Sequence, residues 1–129
     1  MVIDTSALVA LLLDEPERAA FAAAIEADPK RLVSAVTLVE AGIVLEARLG
    51  QPGADALDLL LQRADIQIVA VDREQAEIAR RAWRTFGKGN DPAGLNLGDC
   101  FAYALAVAAA EPLLFKGEDF RRTDVPPAV

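Results

Sequence analysis

The sequence predicts an α/β fold: a three-layer α/β/α domain around a central parallel sheet of four to five strands. Three observations point to it. Short apolar, β-branched runs alternate along the chain with longer segments whose apolar residues recur at helical spacing. Strands separated by helices pair in parallel, and a parallel sheet is covered on both faces. Alanine and leucine dominate the composition, which favours helix in the connecting segments.

The elements follow in order. Val2-Ile3 is the first strand. Residues 7–13 form a short helix, broken by Asp14-Glu15-Pro16. Pro16 suits the first turn of a second helix reaching residue 27, in which Phe21 and Ile25 lie four apart on one face. Residues 31–34 are the second strand. Residues 37–49 are helical and stop at Gly50, a C-terminal signal. After Gln51-Pro52-Gly53 another helix carries a buried stripe of Leu57, Leu60, Leu61 and Ala64. Residues 66–71 are the third strand. Asp72 is the N-cap of a helix on which Ala76, Ala79, Trp83 and Phe86 share a face. Residues 87–94 are a loop rich in Gly, Pro, Asn and Asp. A long apolar helix covers 96–110 and is closed by Glu111-Pro112. Residues 113–115 are the fourth strand and 116–119 a turn. The tail beyond Phe120 is polar and then Pro-rich, and either adds a short strand or frays. No linker, repeat or low-complexity tract divides the 129 residues, so one domain over 1–129 is expected.

Composition narrows the chemistry. With 13 basic and 20 acidic residues the net charge is −7, which taken alone argues against phosphate recognition. Carboxylates gathered around a divalent cation reverse that argument, because the cation attracts phosphate. The chain has no histidine, which removes Ser-His and Cys-His catalysis and His-ligated zinc. A single cysteine allows no internal disulfide and suits a reducing cytoplasm. The longest apolar stretch, residues 100–110, is too short to cross a bilayer, and Asp4 interrupts any N-terminal signal, so no membrane association is expected.

Four acids stand at the ends of elements. Asp4 ends the first strand, Glu40 and Asp99 sit in first turns of helices, and Asp119 follows the fourth strand. In a parallel sheet these positions project toward the C-terminal edge, where open α/β folds bind ligands. Each also has a structural reading. Thr37-Leu38-Val39-Glu40 reads as a capping box, Asn96 with Asp99 as another, Asp4 as a cap and Asp119 as part of a turn. Converging carboxylates repel one another unless a proton or a cation intervenes. Oxygen-only ligands suit Mg²⁺ or Mn²⁺, ions that polarise phosphoryl oxygens and acidify bound water. Phosphodiester hydrolysis is the chemistry this suggests.

Four blocks carry a family resemblance: VIDTSALVALL at 2–12, VTLVEAGIVLEARLG at 36–50, LNLGDCFAYALA at 95–106 and LLFKGEDFRRTDV at 113–125. In order and spacing they resemble PIN domains, most closely the VapC-type toxins of toxin–antitoxin pairs. The match is weakest over 51–94. The resemblance implies a Mg²⁺- or Mn²⁺-dependent endoribonuclease that cuts tRNA or rRNA, leaves a 5′-phosphate and a 3′-hydroxyl, and arrests translation. It assigns Asp4, Glu40 and Asp99 as catalytic metal ligands. The fourth acid falls on Asp119, beside Glu118, and Ser6 and Asn96 take supporting polar positions. It further implies a cognate VapB-type antitoxin that silences the site with a basic side chain, a homodimer, and DNA contact only through the antitoxin.

Other residues read more plainly. Arg80, Arg81, Arg84 and Lys88 are placed on the helix face opposite Trp83, either as phosphate contacts or as a solvated face. Trp83 is expected in the core, and Cys100 as a small buried residue. A non-catalytic, metal- and partner-binding regulatory α/β domain is the competing reading. Receiver domains, however, use an adjacent acid pair at the first strand, and dehalogenase-like phosphatases use Asp-x-Asp where this chain has Asp4-Thr5-Ser6. No P-loop or G-x-G-x-x-G is present.

Overall fold

The computed structural model describes residues 1–129. Four strands, β1 (Val2–Ile3), β2 (Leu32–Ser34), β3 (Gln67–Val69) and β4 (Leu113–Leu114), form one parallel sheet in the order β3-β2-β1-β4. Val2 pairs with Leu32 on one side and Leu113 on the other, and Ile3 pairs with Leu114. The six helices are α1 (Thr5–Leu12), α2 (Arg18–Ala27), α3 (Ala35–Leu49), α4 (Gln51–Arg63), α5 (Arg73–Phe86) and α6 (Leu97–Ala109). A 3₁₀ turn covers Phe120–Arg122.

Alternation along each strand sends neighbours to opposite faces. Val2, Leu32 and Leu113 join a core with α5 and α6. Ile3, Val33 and Leu114 join a second core with α1, α2, α3 and α4. All six residues are buried, as the three-layer expectation requires. The tail does meet the sheet. Leu113 N–H donates to Pro126 O at 2.9 Å and Ala128 N–H to Leu113 O at 2.9 Å, which adds a one-residue bridge outside β4.

Several helices start earlier or later than the pattern suggests. Asp4 and Ser34 cap α1 and α3 immediately after their strands, accepting from Ser6 N–H and Val36 N–H. The strands therefore turn into helix with no loop between them. Thr37 consequently lies inside α3, fully buried, and caps nothing. Glu40 sits in the second turn, so the Thr37–Glu40 capping box does not form. Asp14 takes a left-handed φ of 54°, which delays α2 to Arg18. Strand β3 is the exposed edge, and of the expected 66–71 only Gln67–Val69 pair with β2.

Candidate functional site

The C-terminal edge of the sheet opens into a pocket of about 380 Å³ that includes Asp4, Glu40, Asp99, Ser6 and Asn96 in its lining. Asp4 is the most buried of the acids. Its N–H donates to Leu114 O at 2.9 Å, which ties the residue to the end of β4. Its Oδ2 accepts from Ser6 N–H at 2.9 Å and from Ser6 Oγ–H at 2.6 Å. Ser6 Oγ in turn accepts from Lys116 N–H at 3.0 Å, which links the site to the turn after β4. The second oxygen, Oδ1, is buried and has no partner. Burial raises the Asp4 carboxyl above its ordinary value, Ser6 pulls it down, and the charge of Glu40 pushes it up again.

Glu40 reaches the pocket from α3 and accepts from Thr5 Oγ–H at 2.5 Å. Its carboxylate lies against Gly98, and a Cβ there would collide with the carboxylate oxygens. Asp99 and Asn96 form the predicted capping box: Asp99 N–H donates to Asn96 Oδ1 at 2.9 Å, and Asn96 N–H to Asp99 Oδ2 at 3.0 Å. Burial pushes the Asp99 carboxyl up to about 7 against the pull of Asn96 N–H, with further upward pressure from the charges of Asp4, Glu40 and Asp119. Capping and site membership therefore coexist in Asp4 and Asp99.

Asp119 is exposed at the start of the 3₁₀ turn and caps nothing with its side chain. It stands outside the pocket lining, yet its charge reaches Asp99. Glu118 instead pairs with Arg121 at 3.7 Å on the surface, which separates the two neighbours. The carboxylates share one volume without closing into a ready cage of three or more ligands. The donor set fits a hard divalent cation. It is all oxygen, it includes an orphaned buried carboxylate oxygen, and Mg²⁺ takes few protein ligands and keeps several waters.

Four contributors escaped the sequence reading. Thr5 fixes Glu40, and Gly98 leaves room for it; the available signals were a hydroxyl beside Asp4 and a glycine in a helical first turn. Arg48 and Lys116 border the acidic pocket, Lys116 paired with Glu15 at 3.0 Å and Glu17 at 3.2 Å. Gly98→Ala is expected to displace Glu40 and lower cleavage about 100-fold with little loss of folding, on the scale of a lost supporting contact in a metal site. Cleavage rates alongside thermal melts check this, and unchanged cleavage would contradict the contact.

Comparison with known proteins adds the following. The PIN domain family model matches residues 1–126. Ribonuclease VapC30 of Mycobacterium tuberculosis is 58% identical over 125 residues, covering 97% of this chain and 95% of that protein. Ribonuclease VapC of Mycolicibacterium smegmatis is 56% identical over 125 residues, covering 97% of each. Among solved structures, Mycobacterium tuberculosis VapC20, a Sarcin-Ricin loop cleaving toxin, superposes with a TM-score of 0.77 over 96% of this chain and 95% of that one. Its identity is 16%, so that likeness speaks to the fold.

Proposed function

This chain belongs to the PIN-domain family and is an endoribonuclease toxin of the VapC type, and from that premise we propose how its residues work. Asp4, Glu40 and Asp99 hold a divalent cation, Mg²⁺ or Mn²⁺, with Asp119 acting from the rim. The observation that carries this is Asp4 Oδ1, a buried carboxylate oxygen without a donor in a pocket of further acids. A divalent ion supplies charge stabilisation at the phosphoryl group and acidifies a coordinated water.

The chain's own work is placement. Ser6 clamps one Asp4 oxygen and leaves the other free of any donor beside the pocket. Thr5 holds Glu40, and Asn96 N–H holds Asp99, so all three acids are oriented before substrate arrives. No histidine is available as a base, and none is needed where the attacking group is water. Hydrolysis in this sense leaves a 5′-phosphate and a 3′-hydroxyl. The RNA is a structured one, tRNA or rRNA, and its cleavage stops translation in the cytoplasm.

The VapC relatives support a VapB-type antitoxin as partner, and an acidic pocket is complementary to an inhibiting basic side chain. For the homodimer we assign α3, whose Val39 and Ile43 are 61% and 63% exposed one turn apart. DNA is then reached only through the antitoxin. Brief expression followed by sequencing of RNA 5′ ends tests the activity. Monophosphate ends clustered at a few sites, absent from an Asp4→Asn control, are expected. Identical ends in both would leave the regulatory-domain reading standing.

A further inference from the structure

The sequence expected Trp83 in the core, with the basic residues on the opposite face. Neither holds. Trp83 is 41% exposed, because α6 packs over Ile78, Ala79 and Ala82 and leaves the indole at the flank of α5. Arg80, Arg84 and Lys88 border the same groove as Trp83, while Arg81 faces another side, near Tyr103 and Asp124.

That groove has a volume of about 680 Å³ and an apolar floor that includes Trp83, Leu97 and Phe101. Leu97 is 72% exposed, the most open large apolar side chain in the chain. The indole does not hang free. Its six-membered ring lies against Gly87, where a Cβ would fall 2.7 Å from Trp83 Cδ2. Gly87 N–H also donates to Trp83 O at 2.9 Å. The ring is thus held against Gly87 while Trp83 also lines the groove.

The rim carries a second signal. Arg18, Lys30, Arg73, Lys116 and Arg121 each pair with a carboxylate. Arg48, Arg63, Arg80, Arg81, Arg84 and Lys88 hold no ion pair and no side-chain hydrogen bond, and three of these six, Arg80, Arg84 and Lys88, gather at this one groove. Asn96 lines both this groove and the acidic pocket, so the two are adjacent. A chain of net charge −7 with acids at its reaction centre repels phosphate. Unpaired cations beside that centre offset the repulsion, and a partly exposed aromatic ring is what an unpaired base stacks on.

We infer that the groove between α5 and α6 is a subsite for a single-stranded stretch of RNA, with Trp83 stacking an unpaired base next to the cleaved phosphate. Arg80, Arg84 and Lys88 hold the flanking phosphates. The inference deepens the ribonuclease reading of the acidic pocket and rests on it for the identity of the ligand. It makes Trp83 a positioning residue whose effect falls on binding and on the choice of cleavage site.

Trp83 is the only tryptophan, so intrinsic fluorescence reports on the groove directly. The full chain, without divalent ions, is titrated with a single-stranded oligoribonucleotide of about eight nucleotides, within the usual range of single-strand sites. A second titration uses an abasic backbone with the same number of phosphates. The base-bearing strand should quench saturably and the abasic one should not. Read instead by the anisotropy of a dye-labelled strand, which needs no tryptophan, Trp83→Ala should weaken binding of the base-bearing strand roughly 10-fold, the scale of one base stack, while Trp83→Phe stays within about threefold of wild type. In cleavage assays Trp83→Ala should raise KM about 10-fold and leave kcat within about threefold. Equal affinity in Trp83→Ala and wild type overturns the proposal, as does equal quenching by the abasic strand. Loss of VapB-type antitoxin binding in Trp83→Ala with RNA affinity unchanged also overturns it, and makes the groove a peptide seat. The two readings fail separately: Asp4→Asn cleavage judges the acidic pocket, and the fluorescence titration judges the groove even if no cleavage is found.

Discussion

Asp4→Asn is expected to reduce RNA cleavage by on the order of 10³-fold or more while leaving the fold intact. Asp4 sits at the end of β1, an interior strand of the sheet, and its N–H is bonded to Leu114 O. Asparagine has the same shape and keeps an oxygen for Ser6 N–H, so the cap on α1 survives. What disappears is the anionic Oδ1, a buried oxygen without a donor. A single directed electrostatic contact of this kind is worth about 10²- to 10³-fold in rate, and weakened ion binding adds to that. Burial already disfavours the Asp4 anion, so neutralising it should hold or raise the metal-free melting temperature. Single-turnover cleavage and a thermal melt, run on the same preparation, check both halves. Cleavage within tenfold of wild type would refute the ligand role.

Asp99→Asn is expected to raise the metal-free melting temperature at pH 8 and to leave it nearly unchanged at pH 4. The Asp99 carboxyl is pushed from 3.8 to about 7 in the folded chain, so the fold binds that proton more tightly than the unfolded chain does. Below about pH 4 both states are protonated and there is no penalty. As pH rises from about 4 to about 7, the unfolded chain releases its proton first and the fold loses stability. Above about pH 7 the whole penalty is present. Asparagine never ionises, so the difference between variant and wild type should open across that window and then level off. At about 1.36 kcal/mol per pKa unit the ceiling is roughly 4 kcal/mol. Partial solvent access to Asp99 and the lost charge at the start of α6 reduce it to roughly 2 kcal/mol. That corresponds to about 5–10 °C for a domain of this size. Added Mg²⁺ should then stabilise wild type more than the variant, because ion binding to the fold adds stability only where the ligand remains. A pH-independent difference, or a variant melting lower at pH 8, would contradict the crowding of charge.

The two variants part in an instructive way, since each removes activity through the feature that strains the metal-free fold. On the proposed reading, like charges are tolerated at the sheet edge because the chemistry needs them, at some expense in stability. The same logic explains why Thr5, Ser6 and Asn96 are spent on holding carboxylates in place.

Much of this was legible in the chain itself. Short strands such as Val2–Ile3 and Leu113–Leu114 announce themselves because two adjacent apolar residues, buried on opposite faces, leave little other arrangement. Asp72 and Asn96 were readable as caps because capping is a contact over three residues, set by local chemistry. The start of α3 was not readable. Thr37 and Glu40 have the spacing of a capping box, yet β2 ends so tightly that Ser34 takes the cap first. Trp83 was misplaced for a related reason. Helical periodicity puts Ala79 and Trp83 on one stripe, but the line along which α6 crosses α5 decides which edge of that stripe is covered.

The sequence by itself determined the alternation of strands and helices and the caps at Asp72 and Asn96, because these depend on residue type and short-range spacing. Only the tertiary structure decided that β1 lies between β2 and β4, that Glu40 rests on Gly98, and that Trp83 and the unpaired cations open beside the acidic pocket. Those are contacts between segments tens of residues apart. They follow from which faces pack together, and spacing along a chain does not encode that.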